Sequence, residues 1–496
     1  MDKIEFPAAL WAMEADDVDD ESKSVVGLLS FDGEHRIELT VPFGVLLDWP
    51  CLPVEGGGYV QTHTIDGLSS DAIYGYSQTG RYLVLRDVAS WGPSRAYPGF
   101  KKQTLWGSSL LMSREPIDGD PEVSTAHVEL PGLREWMGRI SFETTSQYEN
   151  DKLKEMSFAF RPEEMQAVLL FENDEMRVSI EYCGTRKGDK IPSYTFEFES
   201  DCFLRVELLG ESVGIDAFLN ERVYPVAEFL SFCMGFRYAI TNVEFFTSGG
   251  QRIGYYAPFV GVRGMPSGGQ ISTMPFSYER IEDQISSMLD SWVHFDSYAC
   301  NASKLIVSLM NNWEMPLDML FLASAQAFEA MTRVGVEEQE IADEELDKRL
   351  EVINCSNMPA RTKKWAVRKL RGAKWKTANQ LADVLLAKVK PIVEYVIPDA
   401  EKFKRDHRTQ RNAFTHRREL GESEKLTNEQ LYYHTQAVQL LAYAAIAVEL
   451  GLEAEEVRRL LEKSRFREGA VIRARRLYAR EAEDVNREDA KSDQRA

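Results

Sequence analysis

The sequence predicts an α+β multidomain protein, in which a β-rich N-terminal domain precedes an all-α helical bundle. Up to residue 246, short β-branched and aromatic runs are broken by Gly, Asp and Asn, which is the pattern of strands and turns. From residue 277 onward, apolar residues recur at helical spacing. Residues 247–276 hold seven glycines and three prolines, a composition typical of a loop or linker. The predicted boundary between the domains lies there.

Strands are predicted along residues 1–246, and the first clear signal is a hairpin. The segment SVVGLLSFDGEHRIELTVPFG has two extended runs around Asp32-Gly33, a frequent hairpin turn. An acidic stretch, Glu14 to Glu21, comes before it. We interpret this stretch as a solvated segment, and the alternative is that it covers a basic surface elsewhere.

Helices are predicted from residue 277 to residue 452. Pro316 begins an apolar stripe that ends near Gly335. Thr427 and Gln430 form a capping box for a long helix that runs to Gly451. The segments RTKKWAVRKLRGAKWK and KTANQLADVLLAKVKPIVEYV between these two helices are also helical by pattern. Residues 453–496 are predicted to be a charged tail, helical at first and then disordered.

Several classes of protein are disfavoured by composition and motifs. The six cysteines show no C-x-x-C pair, and the acidic N-terminus has no signal-peptide pattern, so a cytoplasmic protein is expected. The apolar stretch from Leu440 to Val448 is too short for a membrane span, so no membrane association is expected. The seven histidines have no metal-ligand spacing, and no phosphate-binding loop or nucleophile elbow is present. We therefore expect neither metal nor cofactor.

Positive charge is concentrated in one part of an acidic chain. The whole sequence carries a net charge of -21, which argues against coating nucleic acid with the entire surface. Residues 361–420, in contrast, hold 17 Lys and Arg against 6 Asp and Glu, an excess of +11. The rest of the chain must then carry -32. A local site for an anionic partner is expected in this segment.

The hexapeptide RNAFTH lies inside the basic segment and supplies Arg411, Asn412 and His416. On an ideal helix Asn412 and His416 share one stripe, whereas Arg411 lies about 140° from His416. The two are not direct neighbours; a long guanidinium could reach round, or two copies could meet across a dimer axis. Phe403 and Phe414 mark the face that is expected to be buried.

These residue types fit metal-independent cleavage of RNA. An imidazole can act as base for the 2′-hydroxyl or as acid for the leaving 5′-oxygen. A guanidinium can bind two phosphate oxygens as charge develops, and Asn412 could fix the imidazole tautomer or bind phosphate. The products would be a 2′,3′-cyclic phosphate and a 5′-hydroxyl, and DNA would be refused. Other basic residues around the motif are expected to contact the RNA: Lys404, Arg405, Arg408 and Arg417.

The motif, followed by the apolar helix LYYHTQAVQLLAYAAIAVELG, resembles the HEPN domain, whose ribonuclease members share an arginine, a polar residue and a histidine at this spacing. The segment AFEAMTR with Glu329 is similar to the first helix of that fold. The resemblance implies that Arg411 and His416 are catalytic, that Asn412 fills the polar position, and that Glu329 or Asp406 could orient them. It also implies a homodimer or higher homo-oligomer formed through the HEPN domain, with a composite active site that needs no metal.

The N-terminal half, with GLLSFDGEHRIELTVPFG and ELPGLREWMG, resembles the N-terminal domain of the ApeA family of bacterial anti-phage proteins. That resemblance implies a sensing or restraining domain, a phage-derived trigger and a latent RNase of an abortive-infection system, with tRNA as one candidate substrate. Two alternatives stay open. The helical domain could be a non-catalytic scaffold for dimerisation or RNA binding, or the protein could be an RNase toxin unrelated to phage defence.

Overall fold

The computed structural model describes residues 4–479, apart from a set of short gaps. The gaps are residues 19, 21, 32–35, 49–50, 54–58, 62–66, 97–99, 118–119, 140–141, 161–165, 188–196, 238–239, 241, 259–272, 311–314, 417–420, 422–423 and 465. The chain divides into two compact units: residues 1–227 with 238–268, and residues 228–237 with 269–496. The first unit is rich in strands and the second is helical, which confirms the predicted fold class.

The first unit consists mainly of antiparallel strands. Their bounds are β1 (Ile4–Ala12), β2 (Val25–Phe31), β3 (Ile37–Val41), β4 (Cys51–Pro53), β5 (Tyr59–Gln61), β6 (Leu68–Ser77), β7 (Tyr82–Ser90), β8 (Ser94–Ala96), β9 (Phe100–Gly107), β10 (Ser109–Ser113), β11 (Glu122–Val123), β12 (Thr125–Glu129), β13 (Phe142–Glu149), β14 (Lys152–Phe160), β15 (Val168–Glu172), β16 (Met176–Lys187), β17 (Glu197–Leu208), β18 (Val213–Gly214), β19 (Asn242–Phe246) and β20 (Arg252–Tyr256). Two short helices, α1 (Leu133–Met137) and α2 (Ile215–Phe218), accompany them.

Fourteen of these strands form one sheet, in the order β15-β16-β17-β12-β19-β20-β10-β7-β6-β1-β2-β3-β9-β8. An additional pairing of β7 with β9, through Ala89 and Trp106, closes the six strands from β7 to β9 into a ring. Strands β2 and β3 pair antiparallel, with Leu28 opposite Thr40, so the predicted hairpin is confirmed. Its turn residues lie outside the described part of the chain.

The closed part of the sheet is packed around a buried indole. Trp11 is fully buried in a cluster of Leu, Ile and Val side chains from neighbouring strands. A Cβ atom at Gly75 would lie 2.7 Å from Trp11 Cε3, and one at Gly27 would lie 2.8 Å from Trp11 Cδ1. Glycine at these two positions therefore leaves room for the indole against the strands.

The second unit contains the remaining helices. Their bounds are α4 (Tyr278–Ile281), α5 (Ile285–Val293), α6 (Ser297–Leu309), α7 (Leu317–Met331), α8 (Asp343–Cys355), α9 (Ala360–Gly372), α10 (Ala378–Lys388), α11 (Lys390–Val396), α12 (Ala400–His416), α13 (Asn428–Glu449), α14 (Ala454–Lys463) and α15 (Glu468–Leu477). Helix α3 (Tyr224–Met234) has residues in both units. In the described residues no helix is long and apolar enough to cross a membrane.

Helix α13 is the central element of the helical unit. It is buried over most of its circumference from Leu431 to Ala447, and it packs against α7, α14 and α15. The predicted capping box is present, because Thr427 accepts from the backbone N–H of Gln430 and Gln430 bonds back to the Thr427 backbone. Gly451 follows the helix at a φ of 96°, a conformation that glycine adopts without strain.

Two predicted segment boundaries differ from the structure. The segment 247–276, predicted as linker, includes strand β20, which pairs with β10 and β19 in the large sheet. The tail predicted from residue 453 instead contributes α14 and α15 to the helical unit, and Tyr478 at its end is fully buried. The dense charges of this segment obscured a stripe of buried apolar residues at helical spacing, Val457, Leu460 and Leu461. Residues 480–496 lie outside the described part.

Candidate active site

Helix α12 carries the RNAFTH motif, and its apolar side determines which way the motif faces. Asp399 caps the helix by accepting from the backbone N–H of Lys402 at 2.9 Å. Phe403 is fully buried, and Phe414 packs against Phe321 of α7 with ring centroids 5.6 Å apart. The sequence prediction of the buried face is therefore confirmed. Arg411, which lies off this apolar stripe, remains partly exposed.

Arg411 is held by Glu329 of α7 in a two-point ion pair. Arg411 Nε lies 2.8 Å from Glu329 Oε1, and Arg411 Nη2 donates to Glu329 Oε2 at 3.2 Å. The two side chains are 35% and 36% exposed, so neither is sealed from solvent. A guanidinium has five N–H donors, and the ion pair uses those on two of its three nitrogens. The carboxylate thus orients Arg411 while other donors remain available to a ligand.

A cleft of about 160 Å³ lies beside this pair. Five residues with a predicted catalytic, supporting or RNA-binding role line the cleft. Four of them lie on α12, namely Lys404, Arg408, Arg411 and Asn412, and the fifth is Glu329 of α7. The other lining residues come from α7, the residues just after it, α10 and α12: Phe328, Thr332, Arg333, Ala378, Asn379, Leu381, Ala382, Phe403 and His407. The cleft therefore combines cationic groups with apolar walls.

His416 is the last residue of α12, and its side chain lies outside what the structure describes. Arg417 lies in the undescribed segment 417–420. The structure therefore places Arg411, Asn412 and Glu329 together at the cleft. The distance between Arg411 and His416 stays a prediction.

The other predicted RNA contacts on α12 differ in how available they are. Arg405 and Arg408 are exposed. Lys404, in contrast, forms ion pairs with Asp383 and with Glu401, the latter at 2.6 Å. Burial lowers the pKa of Lys404, but the hydrogen bonds to Asp383 and Glu401 outweigh this effect and raise it. A phosphate would have to compete with two carboxylates for Lys404.

Asp406 points to a different part of the helical unit from Arg411. Its Oδ2 atom is buried without a hydrogen-bond partner among the described residues. Burial raises the pKa of Asp406, against the opposing charges of Lys402 and Arg405. Asp406 is not among the residues that line the cleft. An orienting role toward Arg411 is therefore supported by the geometry of Glu329 and not by that of Asp406.

Two histidines, one lining the cleft and one adjacent to it, lie in an apolar environment. His407 is buried beside the rings of Phe403 and Phe328, and burial together with the positive charge of Arg411 lowers its pKa to about 4. His434 of α13 is fully buried, and its Nδ1 shares a hydrogen bond of 2.6 Å with the Tyr478 hydroxyl. Burial, assisted by His407, lowers the pKa of His434 well below its usual value. Both rings are neutral at physiological pH.

Sequence reasoning missed His407, Arg333 and Asn379 at the cleft. A signal for His407 was present, because it follows Phe403 by four residues and so shares the buried face of α12. Arg333 lies just after α7, where it pairs with Glu338. No local pattern marks it, or Asn379 near the start of α10, because both reach the cleft only through the packing of their helices. Among the described residues, no group of three or more His, Cys, Asp or Glu side chains could hold a metal ion.

The fold and the motif together define a class: a helical HEPN domain attached to a β-rich N-terminal domain. Residues 322–456 match the family model described as Apea-like HEPN. Residues 10–292, more than half of the chain, match the model described as ApeA N-terminal domain 1. The chain therefore belongs to the ApeA family. No curated protein and no solved structure matches it.

Proposed function

We propose that this protein is a metal-independent endoribonuclease of an abortive-infection anti-phage system. The observation that carries the proposal is the Arg411–Glu329 ion pair, which orients a partly exposed guanidinium at a cleft, on the same helix that ends with His416. Membership of the ApeA family supports the same conclusion. The enzyme stays latent until infection, and tRNA is one candidate substrate.

The proposed reaction is a transesterification within the RNA. His416 takes the proton of the 2′-hydroxyl, whose oxygen then forms a bond to phosphorus. The bond from phosphorus to the 5′-oxygen breaks, and an acid returns a proton to that oxygen. Arg411 stabilises the negative charge that develops on the phosphate oxygens. Asn412, which lines the cleft one turn before His416, contacts the phosphate or fixes the imidazole tautomer.

The proposed active site is shared by two copies of the chain. Arg411 and His416 lie about 140° apart around an ideal helix, so a single α12 does not present them side by side. A homodimer, or a higher oligomer, formed through the helical domain would place two copies of the motif around one cleft. The N-terminal domain then restrains the enzyme until a phage-derived trigger binds there, and the protein acts in the cytoplasm.

The test is cleavage of RNA by the purified full-length protein, with end groups identified by mass spectrometry. We expect a 2′,3′-cyclic phosphate and a 5′-hydroxyl, unchanged rates in excess EDTA, and no cleavage when the nucleotide that supplies the 2′-hydroxyl is 2′-deoxy. His416→Ala removes activity, whereas His294→Ala, at an exposed histidine far along the chain, retains it. If purified His416→Ala cleaves RNA as fast as the wild type, the proposal fails.

The alternative of a non-catalytic scaffold makes the opposite prediction. Under that alternative the wild type binds RNA or dimerises but leaves the RNA intact under all conditions, including infection. Sequencing of total RNA from infected cells for new 5′-hydroxyl ends separates the two. A defined cleavage position that depends on His416 supports the nuclease and identifies the substrate. New ends without infection indicate a toxin unrelated to phage.

A further inference from the structure

Helix α9 has an exposed face with five cations and one tryptophan. The cations are Arg361, Lys364, Arg368, Lys369 and Arg371, and all are exposed, as is Trp365 at 54%. At about 100° per residue, these six residues fall within an arc of about 160°. The opposite face carries Lys363, Ala366, Val367 and Leu370, and these four are half-buried. Five of the six cations of α9 therefore lie on its exposed side. We call the six-residue arc the basic face of α9.

The cations of the basic face have no carboxylate partner among the described residues. In this respect they differ from three other cations of the helical unit. Lys374 pairs with Asp343 at 2.5 Å, Lys388 pairs with Glu449 at 2.6 Å, and Lys404 pairs with two acids. Carboxylates therefore neutralise cations at several places in the helical unit, whereas the five neighbouring cations of α9 have no carboxylate partner among the described residues. Helix α9 itself contains no acidic residue.

The helix gains no stability from this arrangement. Like charges at i, i+3 and i, i+4 repel each other, and the basic face contains Arg361 with Lys364, Lys364 with Arg368, and Arg368 with Arg371. Cations in the first turn also oppose the helix dipole, and the first turn of α9 has no acid to offset Arg361. A helix with no fully buried residue thus carries unfavourable electrostatics. An anionic partner would remove both unfavourable terms.

The basic face is also connected to the candidate active site. An antiparallel bridge between Gln339 and Trp375 pins the chain ahead of α8 to the chain after α9. Lys376 reinforces this junction by donating from its backbone N–H to Glu338 at 2.8 Å. Helix α10 begins two residues later, and its Ala378 and Asn379 line the cleft. The C-terminal end of α9 is therefore followed, six residues later, by residues that line the same cleft as Arg411.

We propose that the basic face of α9 is the surface on which the RNA substrate docks before cleavage. The distance from Arg361 to Arg371 is about 15 Å, long enough for the cations to contact more than one phosphate of a single strand. The cations bind phosphates, and Trp365 stacks on a base, a contact that every base can make. The tryptophan favours nucleic acid over an acidic protein surface, which would need only the cations. This inference rests on the proposed nuclease function for the identity of the RNA, and it adds a binding surface distant in sequence from the RNAFTH motif.

The test measures binding of a fluorescent single-stranded RNA to the full-length protein in the His416→Ala background, so that binding is read without cleavage. The triple variant Lys364→Gln, Arg368→Gln, Arg371→Gln is compared with a matched triple variant, Lys348→Gln, Lys463→Gln, Arg476→Gln. The control removes the same charge from exposed cations on α8, α14 and α15 that likewise lack an acidic partner in the described part of the chain. Circular dichroism verifies that both variants fold.

For the α9 triple variant we expect about tenfold or more loss of affinity, and a salt slope lower by about 2, since each phosphate contact on a single strand contributes about 0.7. The control triple variant keeps the wild-type slope. Trp365→Ala weakens binding by about 5- to 150-fold, the range that corresponds to 1–3 kcal/mol per stacked base. Trp365→Phe restores most of the affinity, because phenylalanine can also stack.

Two results would overturn the inference. In one, the α9 triple variant binds RNA like the control. In the other, the mass measured by light scattering changes for the α9 triple variant alone while RNA affinity stays the same, so that the face belongs to a protein interface. The nuclease proposal is judged separately, on cleavage by the wild type. If the wild type does not cleave but the α9 variant still loses RNA binding, the docking surface stands and the nuclease proposal fails.

Discussion

Glu329 and Arg411 are 82 residues apart in sequence and meet through two pairs of atoms, Nε with Oε1 and Nη2 with Oε2. The pair joins α7 to α12, and both residues line the cleft. Two parallel contacts to one carboxylate fix the orientation of the guanidinium plane. Glu329 therefore determines which N–H groups of Arg411 point toward a ligand. The pairing adds a fourth group, supplied by another helix, to the three motif residues.

Glu329→Gln should impair cleavage without unfolding the protein. The amide keeps the size of the side chain but loses the charge that aligns the guanidinium, so we expect kcat to fall by about 10- to 100-fold, as for other groups that orient a catalytic residue. KM should change little. The control is Glu449→Gln, which breaks the exposed pair with Lys388 elsewhere in the unit. Wild-type kcat for Glu329→Gln would show that Arg411 needs no such alignment.

Mixing two inactive variants should restore cleavage if the active site is shared. Homodimers of Arg411→Ala lack both arginines, and homodimers of His416→Ala lack both histidines. After subunit exchange, a mixed dimer retains one arginine and one histidine, and we expect its activity to exceed that of either parent. Cleavage is measured before and after the exchange, at constant total protein. If the mixture only equals the average of its parents, the shared site is wrong.

The helical unit should lose stability as the pH falls below neutrality. The pKa values of His407 and His434 are both depressed by burial, that of His407 to about 4, so the unfolded chain binds protons that the folded chain refuses. Above the unperturbed histidine pKa of about 6.5, both rings are neutral in the folded and the unfolded chain, and they cause no loss of stability. Stability is lost toward pH 4, by about 1.4 kcal/mol per pH unit for each histidine. The pKa of Asp406 is raised by burial, so protonation of Asp406 favours the folded state. In the pH range where Asp406 titrates, its effect on stability therefore opposes that of the two histidines.

The measurement is urea unfolding between neutral pH and pH 5, followed by circular dichroism. His407→Phe should make the free energy of unfolding less dependent on pH, because the variant takes up one proton fewer when it unfolds. His294→Ala, at an exposed position, should leave it unchanged. A pH slope that is the same in the wild type and His407→Phe would mean that His407 is not held neutral by burial.

Phe403→Ala should destabilise the helical unit strongly, and Trp365→Ala should not. Phe403 is fully buried and lies against the rings of Phe328, His434 and Tyr478. Truncation of such a ring costs about 3–5 kcal/mol. Trp365 is 54% exposed, so its truncation should stay within about 0.5 kcal/mol. Urea midpoints of the two variants give the comparison. An equal loss for Trp365→Ala would mean that this ring packs in solution.

Local patterns predicted most of the helical architecture. The stripe beginning at Pro316 and the capping box of Thr427 and Gln430 correspond to helices α7 and α13, because periodicity and end signals act within a few residues of chain. For residues 453–479 the same reasoning predicted a helix but not its packing into the helical unit. Their charges lowered the average hydrophobicity, and the few buried apolar residues were spaced along two short helices.

Residue spacing alone was enough to predict that Arg411, Asn412 and His416 share one helix and that Phe403 points inward. The sequence also determined the concentration of positive charge in residues 361–420. Helix packing, in contrast, sets which cations of that segment are neutralised: Lys404 pairs with Asp383, whereas the basic face of α9 has no acidic partner in the described chain. Helical periodicity indicates which side of a helix is buried, but it does not indicate which distant side chain that helix contacts. Glu329 became the partner of Arg411 because packing brought α7 and α12 together.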